Sequence, residues 1–282
     1  MRNPQRAQKI AFFFLFLATL LIVVPVGLVV FIIIQKGLPA ISWQFLTDIP
    51  RQGMRQGGIF PAIVGTLYLV LGAIVFALPI GLLSAIYLSE YAKDNFLSRL
   101  VKLAIVNLAG VPSVVYGLFG LALFVVFLKF GASILSGALT LGIMILPIII
   151  TTSREALESV PYSFREVSLS LGASRWQTIR HVVLPNALPG ILTGTILGLG
   201  RAAGETAPIL FTVAAFYLPS LPRSIFDQAM ALPYHLYVIS TQVPNVDEKI
   251  RYGTALVLLA LVLFMNLVAI IIRYQFRKRK KW

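Results

Sequence analysis

The segment "ILGLGRAAGETAPIL", residues 196–210, places Arg201 and Glu205 inside a long apolar run. A charged side chain at the centre of a bilayer costs about 2.5–3.5 kcal/mol on insertion scales, so two in one segment need a physical reason. Placed on a helix that starts from Gly190, at about 100° per residue, Gly190, Gly194, Gly198, Arg201 and Glu205 all fall within an arc of about 80°. The three glycines form a small-xxx-small stripe that admits a second helix at close range. The charges share that stripe, so they are expected to face protein or a water-filled cavity. Two kinds of chemistry fit. As an i, i+4 pair, Arg201 and Glu205 can neutralise each other and lock two helices together. Alternatively, the planar donor fork of Arg201 can receive an oxyanion such as phosphate or sulfate. Glu205 would then compete for the arginine and keep the attraction weak enough for release. It would also favour phosphate, which keeps a proton to donate to a carboxylate, over sulfate, which has none.

The elements that position this pair follow from composition. The chain has 282 residues, 58% hydrophobic and 12% charged, and a mean hydropathy of +0.89. These values indicate an all-α integral membrane protein. Cysteine is absent, which excludes disulfides and thiolate metal sites, and His181 and His235 lie far apart, so no metal site is expected. Six apolar runs are long enough to span: 10–34, 62–88, 101–128, 134–152, 187–218 and 252–272. Pro25, Pro79, Pro112 and Pro147 lie within them and predict kinks, with the sharpest bend at Gly110–Pro112. The first run is too long for a signal-peptide core and reads as an uncleaved span.

Lysine and arginine orient the spans. With both termini inside, sixteen of the 24 Lys and Arg residues fall on the cytoplasmic side and seven outside, Arg201 being the remaining one. The net charge of +14 is concentrated in the C-terminal "RYQFRKRKKW". Because it follows a span directly, that cluster points to anionic lipid rather than nucleic acid. No repeat or linker divides residues 1–282, so a single domain is expected. The outer loop 219–251 predicts a short helix over 226–239. It either hugs the membrane surface or forms a docking face, with Arg223, Asp227 and His235 as candidates; Trp43 and Tyr217 read as interfacial anchors.

Between the fourth and fifth spans, residues 153–186 form a polar cytoplasmic insertion. Ser163 with Glu166, and Ser174 with Gln177, have capping-box spacing. Gly172 lies between them at a helix-end position, and Pro185 predicts the end of the second helix. Two short helices around a glycine turn result. By patterning they are either a surface connector or a docking lever for a cytoplasmic partner. The chain contains no G-x-x-x-x-G-K-[ST] run, so it lacks a phosphate-cradling ATPase loop and is not expected to be an enzyme.

"EVSLSLGASRWQTIRHVVLP", residues 166–185, resembles the EAA loop of bacterial ABC importer permeases: Glu-Ala-Ala, three residues, Gly, nine residues, Ile-x-Leu-Pro. Here Val167 and Ser168 replace the alanines and Val182 the isoleucine. The resemblance implies that Glu166, Gly172, Ala173, Ser174, Arg175 and Pro185 belong to a coupling region that contacts a separate nucleotide-binding subunit. "GRAAGETAPIL" is similar to the Arg-Ala-x-Gly-Glu-Thr segment of phosphate importer permeases, and "GGIFPAIVGTLYLV" and "AGVPSVVYGLFG" are similar to the same family, in its PstA-type rather than PstC-type form. This resemblance implies a substrate pathway at Arg201, Glu205 and Thr206. It also implies a PstC-type permease as heterodimer partner, two PstB-type ATPases that bind ATP and Mg, and a PstS-type phosphate-binding protein. The chain itself would hold no cofactor, and it would lie in the bacterial cytoplasmic membrane. A permease for sulfate or molybdate, or a stand-alone channel or secondary transporter, are the competing readings.

Overall fold

A computed structural model describes residues 4–278. Arg2, Arg279, Lys280 and Lys281, part of the terminal basic clusters, lie outside these described residues. Among the described residues, five helices are long and apolar enough to cross a membrane, and a bent pair makes a sixth candidate. The first is α1 (Pro4–Gly37), whose apolar window leaves no residue buried. A short α2 (Trp43–Thr47) and a two-residue hairpin, β1 (Pro50–Arg51) with antiparallel β2 (Gln56–Gly57), lead to α3 (Phe60–Ile86). A π-turn, Tyr87–Tyr91, extends α3. Pro25 and Pro79 lie inside their helices without ending them. In a membrane, neighbouring groups and local widening of the turn satisfy the backbone that proline frees.

The expected third span is two helices. α4 (Phe96–Ala109) meets α5 (Ser113–Gly120), which continues as a π-turn to Phe127, at an angle of 101°. The break lies at Gly110–Pro112, where Pro112 cannot donate and disfavours a helical residue before it. The Tyr116 hydroxyl donates to the Leu108 carbonyl at 2.7 Å, so this acceptor at the end of α4, which also takes the Val111 N–H, gains a second bond across the bend.

α6 (Ile134–Glu158) runs six residues beyond the expected end, and Pro147 sits in its interior. Its first amides are satisfied from outside the helix. Ser133, Ile134 and Leu135 N–H donate to the carbonyls of Thr212, Asp227 and Ile225, and the Ser133 hydroxyl accepts from Ser136 N–H. After α7 (Tyr162–Ser170) and α8 (Arg175–Thr178), a π-turn, Ile179–Val183, leads into α9 (Leu184–Gly204). Arg175–Gly204 therefore forms one helical span, and Pro185 does not end it. The wider i→i+5 turn just before Pro185 makes room for the ring, and the Asn186 side chain donates to the Val182 carbonyl at 2.8 Å.

The expected fifth span, 187–218, also breaks. α9 stops at Gly204, and a six-residue α10 (Ala207–Thr212) follows. α11 (Leu232–Thr241) and α12 (Glu248–Lys278) complete the chain. The expected outer helix starts six residues later than the sequence suggested, and it is no surface helix. Leu232, Pro233, Tyr234, His235, Val238 and Ile239 are buried, and Leu232 N–H donates to Thr66 Oγ1 on α3 at 2.8 Å. His235 is thus not available for docking, whereas Trp43 stands 80% exposed at a helix start.

The core is built by α3, α6 and α9. Ala62, Leu69, Ala73 and Ala77 of α3 pack with Leu141, Met144, Ile145 and Ile149 of α6 and with Ala202 and Ala203 of α9. Lipid tails are as apolar as leucine, so helix association here relies on close packing of small residues rather than on escape from water. A separate, smaller core at the insertion end joins Ala85 and Ile86 to Ala156, Leu157, Val160, Ile179, Val183, Ala187 and Ile191.

Candidate functional site

The glycines of the α9 stripe lie against α6. A Cβ added at Gly190 would stand 2.5 Å from the Ala156 Cβ, and one at Gly194 would collide with Thr152. At Gly198 the added atom would have ordinary contacts, 3.6 Å from Ile145 and Ile149. The tight approach is therefore confined to the two glycines nearer the insertion, and the helix pair opens slightly toward Arg201.

Arg201 lies in the last turn of α9, where a cation complements the negative end of the helix dipole. Glu205 is not on that helix: its φ of −76° and ψ of 137° are extended. The helical arc that groups Glu205 with the glycines therefore does not apply to it. The chain turns at Glu205, and the two side chains still meet, with Arg201 Nε 3.5 Å from Glu205 Oε1. That distance is long for a charge-assisted contact. The side chains are 30% and 19% exposed, respectively, so the pair is neither sealed in the core nor bathed in solvent. Thr206 is half-buried. It precedes α10, and its carbonyl accepts from Leu210 N–H at 3.0 Å.

Non-helical backbone at membrane depth is tolerated where protein or a polar cavity surrounds it. The Gly204–Thr206 break meets that condition on one side through α5. A Cβ at Gly117 would stand 3.0 Å from the Ala207 carbonyl oxygen and 3.1 Å from the Pro208 Cα, so α5 lies directly over the start of α10. Two helix breaks, Gly110–Pro112 and Gly204–Thr206, are thus joined through α5. Tyr116 was not singled out in the sequence; its place in "GVPSVVYGLFG", right after a predicted bend, was the available signal.

In the polar insertion, Ser174 is the cap of α8 and forms a capping box with Gln177, whose side-chain oxygen accepts from Ser174 N–H at 2.8 Å. Gly172 has φ +84°, a left-handed conformation that favours glycine in the turn between α7 and α8. The second expected box is not formed. Pro161 occupies the cap position of α7, and no side chain caps it. Pro161 fixes the backbone two residues earlier, so Ser163 already lies within the helix. Glu166, Gly172, Ser174, Arg175 and Pro185 are exposed, and Ala173 is half-buried. Apolar side chains stand out beside them: Leu171 is 83% exposed, and Tyr162, Val167 and Trp176 are exposed as well. The sequence reading also passed over Arg165 and Glu90, which form a partly buried ion pair with an N–O distance of 2.7 Å. They lie 75 residues apart, and no local pattern links them.

A bundle of discontinuous membrane helices, with a weak ion pair at a helix break and a structured polar insertion, has the architecture of a transport permease. The comparisons agree. The family model described as "Binding-protein-dependent transport system inner membrane component" matches residues 77–282, and the chain belongs to that family.

The probable ABC transporter permease protein YqgI of Bacillus subtilis is 35% identical over 266 residues, covering 89% of this chain and 90% of that protein. The phosphate transport system permease protein PstA 1 of Mycobacterium tuberculosis is 34% identical over 279 residues, covering 97% and 90%. PstA of Xylella fastidiosa is 37% identical over 237 residues, covering 84% and 82%.

Among solved structures, the inward-facing MetNI methionine ABC transporter matches with a TM-score of 0.60 and 18% identity, covering 78% of this chain and 94% of that one. A bacterial alginate ABC transporter in complex with an alginate-bound periplasmic protein matches with a TM-score of 0.65 and 15% identity, covering 94% and 93%. At these identities the solved structures establish the fold. The chain is a multi-pass inner-membrane permease of the ABC importer type, and not a catalytic subunit.

Proposed function

We propose that this chain is one half of the translocation path of an ATP-driven phosphate importer. The observation that carries this reading is Arg201, half-buried at the Gly204–Thr206 break and held only loosely by Glu205. A phosphate oxygen can compete for a guanidinium held at 3.5 Å far more easily than for one locked in a tight fork. In this reading Arg201 attracts the anion, Glu205 moderates the attraction and accepts a hydrogen bond from the protonated phosphate, and Thr206 lies beside them at the start of α10. The extent of likeness to PstA proteins of several organisms supports phosphate as the cargo.

The insertion, residues 153–186, would lie in the cytoplasm with both termini and dock on an ATPase. Its exposed apolar side chains, Leu171, Val167, Tyr162 and Trp176, support docking, because such residues on a polar segment fit a protein groove. The capped α8 and the Gly172 turn would keep the surface in shape. The partners in this reading are a PstC-type permease, two PstB-type ATPases that bind ATP and Mg, and a PstS-type binding protein that delivers phosphate at the outer mouth.

The test is reconstitution of the chain in lipid vesicles with these partners. Phosphate loaded on the binding protein should stimulate ATP hydrolysis and be taken up, and Arg201→Gln should reduce uptake about ten- to a hundredfold. An equal response to sulfate would overturn the choice of substrate. Uptake by this chain without any ATPase would overturn the mechanism.

A further inference from the structure

Arg165 lies outside the candidate coupling and pathway residues, yet one guanidinium makes four hydrogen bonds. Nε donates to Glu90 Oε2 at 3.2 Å, and Nη2 to Glu90 Oε1 at 2.7 Å. Nη1 donates to the Val160 carbonyl at 2.8 Å, and Nη2 also to that of Leu157 at 2.9 Å. The side chains of Arg165 and Glu90 are only 12% and 10% exposed. A single residue of α7 thereby grips the π-turn that ends α3, the Leu157 carbonyl in the last turn of α6 and the Val160 carbonyl just beyond it.

The pair lies beside the small core of Ala85, Ile86, Ala156, Leu157, Val160, Ile179 and Val183, against which Phe164 also packs. A cleft of about 430 Å³ opens along it, lined by Glu90, Glu158, Tyr162, Arg165 and Arg175. Between α7 and α8, the Ser168 and Thr178 hydroxyls meet at 2.9 Å. α8 is covalently continuous with α9 and α7 joins α6 through the three residues 159–161, a link that Arg165 braces at Leu157 and Val160, whereas α7 reaches α3 through side chains.

A buried ion pair contributes little to net stability compared with an apolar substitute; its best-attested use is to select one arrangement. We propose that Arg165 and Glu90 are a positioning pair that makes α3 and α6, and not α9 alone, follow any displacement of the insertion. The inference rests on the proposed reading that the insertion receives the stroke of an ATPase.

The test uses the complete complex in vesicles and reads phosphate uptake per ATP hydrolysed. Glu90→Gln removes the charge, and Arg165→Lys removes the fork. Each should keep the complex assembled and hydrolysing ATP while uptake per ATP falls about tenfold, within the usual span of coupling between sites.

A second variant separates linkage from folding. The chain has no cysteine, and a Cβ at Gly198 would stand 3.6 Å from the Ile145 Cβ, within the roughly 3.5–4.5 Å that a disulfide requires. Ile145→Cys with Gly198→Cys therefore offers a covalent link from α6 to α9. In the Glu90→Gln background, oxidation should recover uptake per ATP relative to the same sample reduced. Unchanged uptake per ATP in both single variants would overturn the pair's role, and a loss that oxidation leaves in place would overturn its assignment to linkage. Wild-type uptake in the same vesicles measures the functional reading separately from these ratios.

Discussion

Arg201 and Glu205 are in contact although they do not share a helix: α9 ends between them, and their closest atoms are 3.5 Å apart. A helical i, i+4 pair would be held by about one turn of backbone. This one is held by a helix end and an extended residue, so its geometry depends on how α10 packs. Glu205→Gln should keep phosphate uptake measurable but erase the preference for phosphate over sulfate. Arg201→Gln should reduce uptake by about ten- to a hundredfold, as expected for loss of a charge-assisted hydrogen bond worth about 1.5–3 kcal/mol. Competition of unlabelled sulfate against labelled phosphate uptake reads both.

The α6–α9 seam predicts a graded set of stability effects. Gly194→Ala would drive a methyl group into Thr152 and should cost about 1–3 kcal/mol by overpacking. Gly198→Ala meets only ordinary contacts and Gly204→Ala none within 4 Å; both should stay within about 0.5 kcal/mol of the parent. Thermal unfolding in detergent would rank the three, and an unfolding temperature for Gly194→Ala equal to that of Gly204→Ala would contradict the packing.

His235 predicts an acid-sensitive α11. Burial, at 3% exposure, pushes its pKa down from 6.5 to about 4. Its folded-state value lies below its unfolded one, so the unfolded form binds the extra proton first as pH falls. Above about pH 6.5 the group contributes nothing to pH dependence. Between about pH 6.5 and 4 stability falls, by about 3 kcal/mol in all, and below that window the loss is complete. His235→Leu should flatten the dependence of unfolding temperature on pH between 7.5 and about 4.5. An undiminished acid slope in that variant would rule His235 out as its source.

The two expected capping boxes make opposite predictions now that only one is formed. Ser174→Ala should destabilise the start of α8 by about 1 kcal/mol. Ser163→Ala should have almost no effect, because Pro161 holds the cap position of α7. Amide hydrogen exchange over residues 175–183 should rise in the first variant and not in the second.

Several features were legible in the linear chain because they depend on residues close together. The spans follow from run lengths set by bilayer thickness. The bend at Gly110–Pro112 follows from proline chemistry, and the Gly172 turn and the Ser174–Gln177 box from local hydrogen bonding. The α9 glycines were recognisable from helical spacing, although the spacing could not say that Gly194 meets Thr152 while Gly198 has room.

Tertiary structure decided the rest, and for one reason. Where apolar and polar patterns run on unchanged, packing chooses whether a helix continues. Thus α9 passes Pro185, because a π-turn absorbs the ring, yet stops at Gly204, where α5 covers the start of α10. It also buries His235 in a segment that reads as surface and joins Arg165 to Glu90 across 75 positions. Loop closure over such a distance leaves no trace in local spacing; only the assembled bundle brings the two charges within 2.7 Å.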